Sequence, residues 1–167
     1  MGSPSENNGN IKTFNDKVKG IAIATLTTVD EDGTPHNRPM ATQEADSEGN
    51  LWFFTDANAP KVKEIERERK ASVSYVSTSD NRYVSAYGNA QLVQDRQKVK
   101  DLWQPILKAW FPNGPDDPNL ALIKVNVTGA EYWEGPSGIV GRVAALTSSI
   151  VSGKPNQGQT DEKINLK

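Results

Sequence analysis

The sequence predicts a mainly β protein (β with peripheral α), in which six or seven antiparallel strands form a closed or nearly closed barrel and two or three helices pack outside it. Short runs rich in β-branched and aromatic residues recur between turns that contain Gly, Asp and Asn, a pattern typical of antiparallel strands. Only two or three stretches show the 3.6-residue apolar spacing of an amphipathic helix. A chain of 167 residues fits one domain whose core is stable without disulfides.

The composition divides the chain into three parts. We expect residues 1–10 to be a disordered lead, residues 11–144 to form the folded domain, and residues 145–167 to be a loosely ordered polar tail. The lead is polar and has no apolar stretch of the kind found in secretory signals. Since no apolar run approaches the roughly 20 residues of a membrane span, we expect a cytoplasmic protein without a membrane partner.

A short helix and a hairpin are expected first. The helix covers about residues 11–19, where the apolar residues are spaced for one face. Residues 21–29 are rich in β-branched residues and lead into an acidic turn that ends at Gly33, which indicates a hairpin. Its return strand contains Pro35 and Pro39. Proline cannot donate to a strand ladder and is confined to edges, ends and bulges, so this strand is expected away from the middle of the sheet.

The next strand and helix follow each other closely. The apolar run "LWFFT" at residues 51–55 predicts a strand. Pro60 suits the first position of a helix, with Asn58 or Ala59 as its cap, and the charged residues of this helix are expected to face water.

The rest of the domain continues the barrel. A helix with an apolar stripe from Val99 to Trp110 is expected to pack on the barrel, with a kink near Pro105. The alternative is that this stripe covers a binding cleft. The strands are expected in meander order. Further strands are predicted at residues 71–78, 82–93, 120–127 and 129–135.

The composition excludes several kinds of site. The chain has no cysteine, which rules out disulfides, thiolate zinc sites and cysteine nucleophiles. His36 is the one histidine, so a histidine-based metal centre or a Ser-His-Asp triad is not expected. A net charge of -2 with both signs interspersed argues against a nucleic-acid partner.

Arg38, Thr55 and Lys61 suggest a bound anion. Lys61 falls in the first turn of the helix that begins at Pro60, where its charge opposes the helix dipole unless an anion is present. Thr55 ends the preceding strand, and Arg38 would reach the same place in a suitable hairpin register. The alternative is that Lys61 belongs to a solvated helix face and that Arg38 pairs with a surface carboxylate. The spacing alone leaves both open.

Longer motifs connect the chain to a known family. "LTTVDEDGTPHNRPMATQ", "LWFFTDANAPKVKEI", "RYVSAYGNAQLV" and "LWQPILKAWFPNGPDDPNLALIKVNVTGAEYWEGPSG" together resemble the general stress protein branch of the pyridoxamine 5'-phosphate oxidase-like, FMN-binding split-barrel family. The resemblance covers about residues 14–140. It implies a split β-barrel that forms a homodimer, with FMN bound in each of two clefts between the protomers.

The resemblance also implies which residues bind the cofactor. One set of residues would bind the phosphate, a second set would line the ring and ribityl chain, and a pair would approach from the partner protomer. These residues are Arg38, Thr55 and Lys61 for the phosphate, Pro39, Met40, Ala41, Thr42 and Phe54 for the ring and ribityl chain, and Tyr83 and Trp133 for the approach from the partner. A barrel-end core position is the alternative for Trp133. Ala59 stands where close relatives often carry Ser, which removes one hydroxyl contact to the phosphate.

The activity implied by the resemblance is flavin chemistry. We expect an FMN-dependent oxidoreductase that exchanges a hydride with a reduced nicotinamide or a small oxidant, with no catalytic side chain assigned and FAD possible in place of FMN. Alternatives are a flavin-binding or flavin-sensing stress protein without turnover, and a barrel that has lost its cofactor. Vitamin B6 oxidation is not expected, because the segment after the last tryptophan motif has Arg142 but lacks the histidine of the family's oxidases.

Overall fold

The computed structural model describes residues 4–136 and 160–166, together with residues 144, 147, 148 and 150. Three helices and a short 3₁₀ turn lie in these ranges. The helices are α1 (Pro4–Val18), α2 (Pro60–Arg67) and α3 (Arg96–Leu102), and the 3₁₀ turn is Pro105–Ala109. The strands are β1 (Ile23–Val29), β2 (Pro35–Ala41), β3 (Asn50–Asp56), β4 (Lys70–Ser77), β5 (Arg82–Val93), β6 (Leu120–Glu134) and β7 (Thr160–Asn165).

The described strands form one antiparallel sheet in the order β2-β1-β4-β5-β6-β3, and β7 pairs with the second half of β6. The prediction of a mainly β split barrel with flanking helices is confirmed. The expected meander order is wrong for β3, which pairs with β6 instead of with a neighbour in sequence. As a result β2 and β3 are the two edges of the sheet, and the barrel is open between them.

The two prolines of β2 fit its place at the edge. The Thr42 N–H donates to the Ala22 carbonyl at 2.9 Å. In an antiparallel pair every second residue forms hydrogen bonds to the neighbouring strand, so counting back from Thr42 gives the residues of β2 that bond to β1. Pro35 and Pro39 occupy the intervening positions, opposite Val29 and Thr25. Their nitrogens therefore point away from β1, where no ladder bond is lost. The expectation that this strand avoids the middle of the sheet is confirmed.

Two apolar clusters hold the fold. The barrel interior contains the larger one, centred on residues such as Leu26, Phe53 and Val73, all of which are fully buried. The smaller cluster lies on the outer face of β3, where Trp52 and Phe54 pack against α3 and the 3₁₀ turn. The expected helix from Val99 to Trp110 is thus broken before Pro105 into two pieces, because proline cannot continue the helical hydrogen bonds.

A helix and a strand reach into the segments that were expected to be a lead and a tail. α1 begins at Pro4, so residues 4–10 belong to a helix, and the Asn10 side-chain amide donates to the Asn165 carbonyl at 2.7 Å. In the expected tail, β7 pairs along β6 and Ile164 and Leu166 are buried. Residues 151–159 lie outside the described residues. Within the described ranges no helix is long and apolar enough to cross a bilayer.

Candidate functional site

A cavity of about 310 Å³ lies at the split between β2 and β3. The outer face of β2, the end of β3 and the start of α2 supply most of its wall, and the segment after α3 closes the remaining side. The lining residues are Pro39, Met40, Ala41, Phe54, Thr55, Asp56, Lys61, Leu107, Trp110 and Phe111. Its volume is at the lower end of the range for small-molecule sites, and its wall combines apolar rings with a few polar groups, as such sites usually do.

Lys61 is the cation of this cavity. It is partly buried, and its ammonium group donates to the Thr55 hydroxyl at 3.4 Å. Burial and the nearby Arg38 charge lower the pKa of Lys61, and the more weakly acting Asp56 and Glu64 do not compensate. Among the described residues no carboxylate lies within ion-pair distance of Lys61. A bound anion would reverse this unfavourable charge environment.

The start of α2 adds to the attraction for an anion. Ala59 is the N-cap in extended conformation, as the sequence indicated, and no side chain caps the helix. The first turn of a helix lies at the positive end of its dipole. In α2, Pro60 has no N–H and the Val62 N–H donates to the Ala59 carbonyl at 2.9 Å, so the attraction for an anion comes mainly from the dipole and from Lys61. Lys61 and Thr55 thus stand beside a helix start that can accept an anionic group.

Arg38 is engaged elsewhere. Its guanidinium donates to the Glu64 carboxylate at 2.8 Å and also to the Thr28 hydroxyl. The Thr28 hydroxyl in turn donates to Glu64, and the His36 ring lies 3.3 Å from the other carboxylate oxygen. The Glu64 side chain is only 8% exposed, so this is a buried ion pair that joins α2 to β1 and β2.

The Glu64 carboxylate is stabilised in its charged form. Burial alone would raise the pKa of Glu64, but hydrogen bonds from Thr28, His36 and Arg38, together with the Arg38 charge, outweigh burial and lower it. Arg38 therefore has a permanent counter-ion. Of these two cations, Lys61 is the one with no carboxylate in contact among the residues that the structure describes.

The ten residues assigned to the cofactor fall into four places. Six of them line the cavity between β2 and β3, namely Pro39, Met40, Ala41, Phe54, Thr55 and Lys61. Arg38 borders an adjoining cavity of about 510 Å³ that shares Lys61. Thr42 borders a third cavity, and its hydroxyl donates to the Ile21 carbonyl.

Tyr83 and Trp133 lie apart from the cavity. They are opposite each other on β5 and β6. Neither residue is among those that line the cavity. One chain therefore does not bring them to the cavity, and their approach from a partner protomer stays a prediction. Arg142, noted for its lack of a companion histidine, lies outside the described residues.

Sequence reasoning missed two parts of the site. It placed the charges of α2 in water, whereas Glu64 is buried against Arg38. Glu64 follows Lys61 by three residues, which places both on one face of the helix. This spacing could have indicated from the sequence that Glu64 faces the site. Sequence reasoning also favoured packing on the barrel over covering of the cofactor cleft for the apolar stripe that ends at Trp110, whereas Trp110 and Phe111 line the cavity. No local pattern distinguishes a cavity wall from a packing face.

An antiparallel barrel that is open between β2 and β3 places the chain in the class of split β-barrel proteins. The family model for pyridoxamine 5'-phosphate oxidase-like proteins matches residues 9–157. The chain belongs to this family, and the resemblance predicted from the motifs is confirmed.

Individual relatives agree with this placement. The protein bli-3 of Neurospora crassa is 31% identical over 128 residues, which are 71% of this chain and 61% of that protein. This chain thus spans less than two thirds of its length. A structure described as the general stress FMN/FAD binding protein of Xanthomonas citri is 28% identical, with a TM-score of 0.64, covering 82% of this chain and 94% of its own. General Stress Protein 26 of Bacillus anthracis is also 28% identical, with a TM-score of 0.64, covering 75% of this chain and 92% of its own.

Proposed function

We propose that the chain is a flavoprotein that binds FMN at the split between β2 and β3 and exchanges a hydride between the flavin and a reduced nicotinamide or a small oxidant. Lys61 carries this proposal: it is a partly buried cation without a carboxylate in contact among the described residues, in a cavity with aromatic walls. The flavin named for the Xanthomonas citri relative supports the choice of ligand.

The phosphate would be held by Lys61 and the Thr55 hydroxyl, at the positive end of the α2 dipole. These groups lie together at one side of the cavity. Arg38 would act from the adjoining cavity, with its charge already balanced by Glu64. Lys61 is thus the main electrostatic determinant of phosphate binding. FMN is proposed over FAD because the cavity is small.

The flavin ring would lie against Pro39, Ala41 and Phe54. The first two present their side chains and free edge-strand backbone at the split, where Ala41 alternates with the residues that bond to β1. The Phe54 ring is held in place by two other aromatic rings. Its centroid lies 5.8 Å from that of Trp103, which packs edge-on, and 6.2 Å from that of Phe111. A rigid apolar wall with backbone polar groups along one edge suits a flat heterocycle.

A bound flavin supplies the hydride chemistry, and the protein supplies binding, orientation and exclusion of water. Asp56 and Lys61 are the titratable side chains that line the cavity, and both stand at its phosphate side. Hydride exchange with a flavin needs no side chain as acid or base. The site therefore fits a flavin-dependent oxidoreductase, with no separate catalytic residue.

A homodimer with the flavin at its interface completes the proposal. Ile23, Val76 and Tyr83 are exposed apolar side chains on adjacent strands, and the register aligns Val76 with Tyr83 and Tyr83 with Trp133. This row starts at Ala41 on the cavity wall, which pairs with Ile23. A second protomer seated on the row would cover the cavity and extend its small volume.

Titration with FMN and riboflavin tests the phosphate assignment. In Lys61→Ala we expect FMN affinity to fall by at least about tenfold, or about 1.4 kcal/mol, while riboflavin affinity stays unchanged because it has no phosphate. Lys70→Ala is the control, since Lys70 is an exposed cation that borders none of the described cavities. Equal FMN affinity in the wild type and Lys61→Ala would contradict the phosphate site, and a wild-type chain that binds no flavin would refute the function.

Anaerobic mixing with NADH or NADPH separates turnover from storage. Rapid bleaching of the bound flavin is the expected result for an oxidoreductase. Bleaching over hours would instead indicate a flavin-binding stress protein without turnover.

A further inference from the structure

Trp110 is an exposed aromatic residue at the mouth of the cavity. Its side chain is 59% exposed, yet it is one of the residues that line the cavity between β2 and β3. An indole buries a large apolar area when it finds a partner. Most of the Trp110 indole is in water at the edge of the cavity. We infer that a ligand in the cavity covers it.

The backbone around Trp110 is fixed. The preceding 3₁₀ turn is anchored by Leu107, which is buried, and the Trp110 N–H donates to the Leu107 carbonyl at 3.0 Å. On the other side, Phe111 packs on the Phe54 ring. Trp110 thus stands between two anchored residues, and its position beside the cavity follows from the packing of its neighbours.

Ile106 is a second exposed apolar residue on this segment, but it does not border the cavity. It belongs to the same 3₁₀ turn and is 66% exposed. It is absent from the residues that line the described cavities. Two apolar side chains are therefore in water on one turn, and only Trp110 borders the cavity.

We propose that Trp110 binds the flavin ring, packing its indole on the ring and closing the water-facing side of the cavity. This inference rests on the proposed function and assigns a ring-binding residue that acts independently of the phosphate site. Stacked aromatic pairs gain free energy beyond the area they bury, and an electron-rich indole suits an electron-poor flavin.

The experiment compares Trp110→Ala, Trp110→Phe and Ile106→Ala in the full chain, using FMN and riboflavin as probes. We expect Trp110→Ala to weaken both ligands about three- to tenfold, because they share the ring. Trp110→Phe should recover part of this loss, and Ile106→Ala should bind as the wild type does. The bound flavin should also emit more strongly in Trp110→Ala, since an indole in contact quenches flavin fluorescence.

The pattern across variants separates this inference from the proposed function. Lys61→Ala affects FMN alone, whereas Trp110→Ala affects FMN and riboflavin equally. If Lys61→Ala weakens FMN while Trp110→Ala leaves both affinities and the emission unchanged, the role of Trp110 is refuted and the flavin site stands. If Trp110→Ala alters only the sedimentation of the protein, the indole contacts a second copy, and the inference is equally refuted. Failure of the wild type to bind either probe would refute both.

Discussion

Two cations of the site differ in how their charge is balanced. Arg38 has a buried carboxylate partner in Glu64, whereas among the described residues Lys61 has only the Thr55 hydroxyl within hydrogen-bond distance. A charge that already has a counter-ion gains less from a new anion than one that does not. The difference favours Lys61 over Arg38 as the contact to the anion that we propose, while the Arg38–Glu64 pair holds α2 against β1 and β2.

Replacing Glu64 should destabilise the fold. In Glu64→Gln, Arg38 remains largely buried without a counter-ion, and we expect a loss of about 3 kcal/mol in the free energy of unfolding at pH 7. Urea denaturation measures this loss. Glu66→Gln is the control, because Glu66 is exposed on the same helix, and it should change stability by less than about 0.5 kcal/mol.

The stability difference between the wild type and Glu64→Gln should decrease at acidic pH. The pKa of Glu64 is lowered in the folded state, so its contribution is fully present above the unfolded value of about 4.3 and is lost as the pH falls through the folded value. The difference between wild type and Glu64→Gln should therefore shrink below about pH 4. A difference that stays constant from pH 7 to pH 3 would mean that Glu64 is not ionised in the native protein.

At the scale of single residues the sequence could indicate Lys61 but not the state of Arg38. The position of Lys61 in a first helical turn follows from Pro60, a local signal. The partner of Arg38 depends on how α2 packs on the hairpin, which no local pattern specifies. The two interpretations of Arg38 were a phosphate ligand and a cation paired with a surface carboxylate, and the carboxylate is present but buried.

At the scale of elements, the start of α2 lacks one favourable interaction. Ala59 has the extended backbone of an N-cap and no side-chain acceptor for the first-turn amides. In Ala59→Ser we expect a gain of about 1 kcal/mol in stability, which for a chain of this size raises Tm by about 2–4 °C. Thermal unfolding without ligand measures it.

Ala57→Ser is the control for this variant, since residue 57 precedes the cap and its N–H already donates to Asn119. It should leave Tm unchanged. With FMN present the new hydroxyl of Ala59→Ser can contact the phosphate instead, so affinity should also increase. An equal Tm for both variants and the wild type would show that a side-chain cap at residue 59 does not stabilise the protein.

The elements that were predicted correctly have strong local signals, and those that were missed do not. Pro35 and Pro39 indicated that β2 avoids the middle of the sheet, and Pro60 marked the start of α2. β7 has only Ile164 within its span and Leu166 just after it as buried apolar residues, too short an alternation to recognise. It forms because β6 is long enough to pair with a second strand beyond β3.

At the scale of the molecule, the sequence predicted the class of fold but not the pairing that creates the site. The pairing of β3 with β6 joins strands distant in sequence, and it leaves β2 and β3 as the unpaired edges of the split. Local propensity does not determine which strands pair. The cavity is thus a consequence of topology, and its residues come together only once the barrel has formed.

The dimer is the prediction that belongs to this scale. Tyr83 is exposed in the apolar row that runs from Ala41 across the sheet, and Tyr83→Glu would place a charge in the middle of the proposed interface. We expect the wild type to sediment as a dimer at micromolar concentration and Tyr83→Glu as a monomer with an unchanged circular dichroism spectrum. Its flavin affinity should fall, because the partner's half of the site is lost. Gln91→Glu, an exposed change further along β5, should remain dimeric, and a wild-type monomer would exclude a flavin site shared by two chains.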